Sequence, residues 1–106
     1  MKFKFSPYIA IQVQEYDKAI KFYKDILGME FKEEKGNDTY LNKDGINFVY
    51  ENGGKPGTVF FEFSTDDINE AQKILEQNGC KMTQEFSEKS KMFSDPFGMN
   101  FHVWEE

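Results

Sequence analysis

Apolar and polar residues repeat with two different periods along the first half of the chain. Residues 8–13 alternate with a period of two, which is typical of a strand with one buried face. Residues 17–27 carry apolar side chains at helical spacing, and Gly28 is placed to end this helix. That stripe consists of Ala19, Ile20, Tyr23, Ile26 and Leu27. Three short strands are predicted to follow, at about 30–34, 39–41 and 46–51.

The second half shows the same succession of patterns. A strand rich in Phe is predicted at 59–64, and Asp67 with Glu70 three residues later forms a capping box that starts a helix. Its buried stripe consists of Ile68, Ala71, Ile74 and Leu75, and Gly79 closes it. Strands at about 82–86, 91–94 and 99–104 complete this half.

An internal repeat connects the two halves. The tetrapeptide Gly45-Ile46-Asn47-Phe48 recurs as Gly98-Met99-Asn100-Phe101, and each copy follows a turn-forming triplet, 42–44 or 95–97. Matching strand, helix, turn and tetrapeptide in the same order indicate two copies of one βαβββ unit. We therefore predict a single α+β domain with module 1 at about 6–52, a glycine-rich linker at about 53–57 and module 2 at about 58–106.

Strand alternation sorts the side chains of the predicted sheet onto two faces. One face is almost wholly apolar and is expected to pack beneath the helices: Ile9, Ile11, Val13, Phe48, Tyr50, Val59, Phe61, Phe63, Phe101 and Val103. The other face mixes aromatic, amide and ionisable groups, which makes it the candidate small-molecule site. Its predicted ligand-binding residues are Tyr8, Gln12, Val49, Glu51, Phe60, Glu62, His102 and Trp104. The competing interpretation is a half-wet sheet face that a dimer partner covers.

Composition narrows the possible partners. The 106 residues include 13 basic and 19 acidic side chains, so the net charge is −6, and every basic residue is Lys. This balance argues against nucleic acid and anionic membranes as partners. Cys80 is the single cysteine, which rules out an intramolecular disulfide and a cysteine metal cluster. With no apolar run long enough to span a bilayer, a cytoplasmic location is expected.

The chain resembles the vicinal oxygen chelate superfamily, which includes glyoxalase I, bleomycin-resistance proteins, fosfomycin-resistance enzymes and extradiol dioxygenases. Ile11-Gln12-Val13, the stretch from Ala19 through Phe22-Tyr23 to Leu27-Gly28-Met29, and the terminal Asp95-Pro96-Phe97-Gly98 carry the resemblance. The resemblance implies two βαβββ modules that form a cupped, U-shaped mixed sheet, with helices on its outer face and assembly as a homodimer.

The resemblance also implies positions for a divalent metal, which the enzymes of this superfamily hold with His, Gln or Glu. Carried over to this sequence, those positions are Tyr8, Val49, Phe60 and His102. His102 is a good ligand, Tyr8 is a poor one, and Val49 and Phe60 cannot coordinate a metal. Three of the four positions thus depart from the enzyme pattern, which favours the metal-free bleomycin-resistance-like branch and a protein without a cofactor or catalytic residues.

Three functions remain open at this point. The leading hypothesis is metal-free binding of a small aromatic molecule, with a cationic ligand favoured by Glu51, Glu62 and the overall negative charge. The first alternative is a metal-dependent lyase, isomerase or dioxygenase with a displaced site, for which Gln12, Glu51, Glu62 and His102 share the required face. The second alternative is a dimerising interaction module without a ligand.

Overall fold

The computed structural model describes residues 2–106, and Met1 lies outside that range. Within it the chain forms eight strands and two helices. In chain order these are β1 (Phe3–Val13), α1 (Tyr16–Asp25), β2 (Glu30–Lys35), β3 (Asp38–Lys43), β4 (Ile46–Asn52), β5 (Val59–Thr65), α2 (Ile68–Gln77), β6 (Lys81–Ser87), β7 (Ser90–Ser94) and β8 (Asn100–Glu105). The predicted α+β class and the two βαβββ modules are confirmed.

The chain divides into two compact units. The first unit is Pro7–Val59, and the second unit combines the residues up to Ser6 with Phe60–Glu106. In the first unit the strand order is β2-β3-β4-β1, and in the second it is β5-β8-β7-β6. In each unit the first and last strands of the module pair in parallel, whereas the other neighbours are antiparallel. The two modules therefore repeat one topology, as the sequence repeat predicts.

The core of the first unit lies between α1 and one face of its strands. Met29, Leu41 and Tyr50 are buried at its centre. The surrounding apolar residues come from β1, α1 and β4: Ile11, Val13, Ile20, Tyr23 and Phe48. The Tyr50 hydroxyl donates to the Met29 sulfur at 3.2 Å, which satisfies the one polar atom that this tyrosine brings into the core. Odd-numbered positions of β1 thus face the helix, and even-numbered positions face away from it.

The core of the second unit has the same construction. Ile68, Phe93 and Val103 are buried together, and Leu75, Met82 and Phe101 pack around them. Phe93 stacks on Phe101 with ring centroids 5.9 Å apart. These contacts place α2 over the face that carries Phe101 and Val103.

The prediction is wrong for two residues of the apolar face. Val59 and Phe61 were expected beneath the helices, but they are 50% and 41% exposed. The ten-residue helix α2 packs on Val103 and Phe93 and leaves this part of β5 uncovered. Phe61 contacts Phe5 instead, with ring centroids 6.5 Å apart.

The ends of two elements also differ from the prediction. Helix α1 ends at Asp25, so Ile26 and Leu27 lie outside it and are exposed. The N–H groups of both residues converge on the Phe22 carbonyl, which closes the helix before the left-handed Gly28 (φ 71°). Strand β1 begins at Phe3 rather than at residue 8, because its alternation continues through Phe5, which packs edge-on against Phe63 at 5.8 Å.

The predicted N-cap of α2 is confirmed, and it differs from the start of α1. Asp67 Oδ1 accepts hydrogen bonds from the backbone N–H groups of Asn69 and Glu70, each at 3.1 Å. Glu15 occupies the corresponding position before α1, but its side chain makes no capping hydrogen bond. Only α2 therefore gains stability from a side-chain cap.

This difference predicts unequal effects of two alanine substitutions. Asp67→Ala removes the acceptor for two N–H groups and should lower the free energy of unfolding by about 1 kcal/mol. Glu15→Ala, the matched control, should change it by less than about 0.5 kcal/mol, since only an exposed ion pair with Lys18 is lost. Urea unfolding followed by circular dichroism measures both. Equal losses in the two variants would contradict the assignment of Asp67 as a cap.

Candidate functional site

The candidate site residues of the first unit lie on the sheet face opposite α1. Tyr8 pairs in register with Asn47, Ala10 with Val49, and Gln12 with Glu51. Even-numbered β1 residues thus share a face with odd-numbered β4 residues, because the two strands pair in parallel. The structure brings Gln12 and Glu51 into contact: the Gln12 amide donates to Glu51 Oε1 at 3.2 Å.

Gln12 also holds the glycine-rich segment that follows β4. Its Oε1 accepts the backbone N–H of Lys55 at 3.0 Å. Gly54 lies so close that a Cβ on it would meet the Gln12 carboxamide carbon at 2.4 Å. The amide of Gln12 is therefore shared between a ligand-site candidate, Glu51, and the backbone of the linker.

The aromatic part of this face is a tyrosine pair. The rings of Tyr8 and Tyr40 meet edge to face, with centroids 5.2 Å apart. Tyr40 lies on β3 directly opposite Val49, which is buried. Tyr8 and Val49 therefore belong to one patch, and Tyr40 is a member that the sequence pattern did not single out.

In the second unit the structure brings Glu62 and His102 together. They occupy facing register positions on the parallel strands β5 and β8. Glu62 Oε2 lies 2.8 Å from His102 Nδ1, and Ser90 Oγ lies 2.6 Å from His102 Nε2. Both ring nitrogens of His102 therefore have a hydrogen-bond partner.

The remaining predicted site residues of the second unit are Trp104 and Phe60. Trp104 pairs in register with Ser90 on one side and with Ser64 on the other. Phe60 is buried. Phe86, which the sequence pattern did not single out, meets the His102 ring edge-on with centroids 5.7 Å apart.

A metal site and a reactive cysteine are two other kinds of chemistry that the sequence could support. Across residues 2–106, no three His, Cys, Asp or Glu side chains are grouped so that they could hold a metal ion. Burial raises the pKa of the Cys80 thiol, and the negative charge of Asp95 adds to that rise. The thiol is thus held in its protonated, weakly nucleophilic form at neutral pH.

A groove beside α1 is a further concave feature of the first unit. Its volume is about 730 Å³, and its walls include Ile11, Phe22, Tyr23 and Pro56. Gln12 also borders the groove. This groove lies on the helix side of β1, whereas the predicted site lies on the opposite side. Among the described residues, no helix is long and apolar enough to cross a membrane.

A comparison with protein-family models shows the family to which this chain belongs. The model of the Glyoxalase/Bleomycin resistance protein/Dioxygenase superfamily matches residues 6–103. The chain belongs to this superfamily. The resemblance inferred from the Phe22-Tyr23, Leu27-Gly28 and Asp95-Pro96-Phe97-Gly98 segments is confirmed at that level. A search of curated proteins gives no match.

Solved structures share the fold of this superfamily member. A glyoxalase/bleomycin resistance protein/dioxygenase superfamily member from Vibrio splendidus 12B01 is 20% identical, with 99% of this chain and 98% of that chain covered, at a TM-score of 0.62. An extradiol ring-cleaving dioxygenase from B. fuscum is 21% identical at a TM-score of 0.67. Homoprotocatechuate 2,3-dioxygenase from Arthrobacter globiformis is 24% identical at 0.66. This chain, 99% covered in both alignments, spans only 33% and 37% of those dioxygenase chains.

The superfamily implies a divalent metal, and the donor set of this chain does not fit one. A catalytic metal usually takes three protein ligands and leaves a position open. Of the four carried-over positions, Val49 and Phe60 offer no donor atom, and His102 Nδ1 and Nε2 face Glu62 and Ser90.

The contact between Gln12 and Gly54 predicts a position-specific effect of alanine. Both Gly54 (φ 71°) and Gly36 (φ 57°) adopt left-handed backbone conformations, so alanine is strained at either position. Only at Gly54 does the added Cβ collide with a side chain, since nothing lies within 4 Å of that position at Gly36. The Gln12 carboxamide must then move and lose its hydrogen bonds with Glu51 and Lys55, so Gly54→Ala should lower the free energy of unfolding by about 1 kcal/mol more than Gly36→Ala. Denaturant titration of both variants tests this, and equal losses would contradict the Gln12 contact.

Proposed function

We propose that this superfamily member binds a small cationic aromatic molecule on the polar and aromatic sheet face opposite its helices, without a catalytic metal. One observation carries most weight: the face of the first unit combines a pair of tyrosine rings with carboxylates. Tyr8 and Tyr40 form an edge-to-face pair against which an aromatic ligand can pack, and Lys35 Nζ lies 5.9 Å from the centroid of the Tyr40 ring. Glu51 and Asp38 occupy facing register positions on β4 and β3.

The facing carboxylates favour a cation over a neutral ligand. A carboxylate binds a cation through charge-assisted interactions, and Glu51 offers carboxylate oxygens on this face. The net charge of −6 attracts a cation over longer distances and repels an anion. Ring faces add a cation–π contribution for a ligand whose charge lies on or beside the aromatic group.

The metal-dependent alternative needs several grouped ligands. Among residues 2–106, no three His, Cys, Asp or Glu side chains are grouped so that they could hold a metal ion. The dioxygenase neighbours share the fold at identities below 25% and so do not extend their activity to this chain. Homodimer formation, a cytoplasmic location and the interaction-module alternative stay predictions. Sedimentation over a dilution series tests the first of these.

Calorimetric titration with planar cationic antibiotics and dyes tests the proposed binding. We expect measurable heat with cationic planar compounds and little with anionic analogues of similar size. Because Trp104 is the only tryptophan, its fluorescence reports whether the ligand also changes the environment of β8. Affinity should fall as ionic strength rises, since part of it is electrostatic.

A pair of matched variants locates the interaction. Glu51→Gln removes one negative charge and should weaken binding about tenfold, which corresponds to about 1.4 kcal/mol. Glu88→Gln removes the same charge from the exposed β6–β7 turn and should leave affinity within about twofold. Absence of heat with every cationic compound, or equal effects of the two variants, would contradict the proposal.

A further inference from the structure

The hydrogen-bond chain Glu62–His102–Ser90 has the geometry of a nucleophile, a base and a carboxylate. The Ser90 hydroxyl lies 2.6 Å from His102 Nε2, and Glu62 Oε2 lies 2.8 Å from His102 Nδ1. These distances lie within the range over which a nucleophile and its base exchange a proton. Three adjacent strands, β5, β8 and β7, fix the three side chains, so their relative positions depend on sheet register rather than on a loop.

The carboxylate also determines the direction of the hydrogen bonds. An ionised Glu62 can only accept, so His102 Nδ1 must donate to it. In a neutral imidazole the other nitrogen, Nε2, is then the acceptor, and the Ser90 hydroxyl must donate to it. This is the polarity that a serine nucleophile requires, since its proton points to the base. The side chains of His102 and Glu62 are 15% and 16% exposed, and this limited exposure keeps solvent from competing for the bonds.

Aromatic and apolar side chains share the sheet face that carries the serine and the histidine. Trp104 pairs with Ser90 in register, and Met92 pairs with His102. The Phe86 ring meets the His102 ring edge-on and is itself half exposed. These groups suit a small ester that carries an aromatic ring.

We propose that Ser90 is a nucleophile activated by His102 and Glu62, and that the second unit has acyl-transfer activity toward small aryl esters. Ser90 Oγ attacks the ester carbonyl carbon, and its proton moves to His102 Nε2. The bond between the carbonyl carbon and the aryl oxygen breaks, and that oxygen takes the proton from Nε2. Water then attacks the acyl-serine in the same way, which releases the carboxylic acid and restores the hydroxyl. This activity is independent of the ligand binding proposed above.

Covalent labelling of the intact protein is the first test. Diisopropyl fluorophosphate should add one diisopropylphosphoryl group, with fluoride and the serine proton leaving, and peptide mass spectrometry should place it on Ser90. Labelling of the wild-type protein does not depend on whether any variant folds. No adduct, or an adduct on another residue, would overturn the proposal.

Hydrolysis of p-nitrophenyl acetate by matched variants is the second test. Ser90→Ala should reduce the rate to that of buffer, and His102→Gln should lower the acylation rate about 100-fold or more. Glu62→Gln should lower it at least tenfold, since the amide no longer imposes the required tautomer. Ser94→Ala, at the other end of β7, is the control and should keep the wild-type rate.

Circular dichroism and thermal unfolding identify any variant that has lost its fold. A folded Ser90→Ala protein with the wild-type hydrolysis rate would show that the hydrogen-bond chain is structural only, and it would overturn the proposal. Labelling of Ser90 without binding of any cationic aromatic compound would contradict only the proposed function. The failure of each proposal can therefore be told apart.

Discussion

Parallel pairing of the first and last strands of each module determines which side chains of this protein meet. In the first unit this pairing sets Gln12 opposite Glu51, and in the second it sets Glu62 opposite His102. A shift of one residue in either pair would turn these groups toward the helix and the apolar residues toward the other face. The buried residues beneath the helices, Tyr50 and Val103 among them, make such a shift costly. The cores therefore hold the polar faces in register.

Much of the fold could be predicted because local patterns and the repeat agree. Gly45 and Gly98 both adopt positive φ, and each follows a side chain that accepts backbone hydrogen bonds: Asn42 Oδ1 from Gly45, and Asp95 Oδ1 from Phe97 and Met99. Two turns of the same chemistry at equivalent positions reflect one unit used twice. The end of α1 was less predictable, since the apolar Ile26 and Leu27 continue the helical stripe beyond the point where Gly28 reverses the chain.

The candidate site was predicted as a face but not as a set of contacts. Strand alternation places Glu62 and His102 on one face, yet it does not show that they pair directly, because that depends on the register between β5 and β8. Ser90 was missed because the predicted strand began one residue later, although it lies two positions from Met92 on the face shared with His102. Tyr40 was missed because the sequence does not reveal how closely β3 approaches the ring of Tyr8.

The superfamily resemblance assigns a metal ligand to the position of His102, so the contacts of this residue bear on the function of the face. The His102 ring is instead hydrogen-bonded to the Glu62 carboxylate and the Ser90 hydroxyl. We propose that hydrogen bonds with Glu62 and Ser90 orient His102 and that its ring does not coordinate a metal. As the only histidine of the chain, it gives an unambiguous nitrogen-15 NMR spectrum. We expect the signals of both ring nitrogens to stay unchanged when one equivalent of Zn²⁺ is added. A stoichiometric shift of either ring nitrogen on adding Zn²⁺ would contradict it.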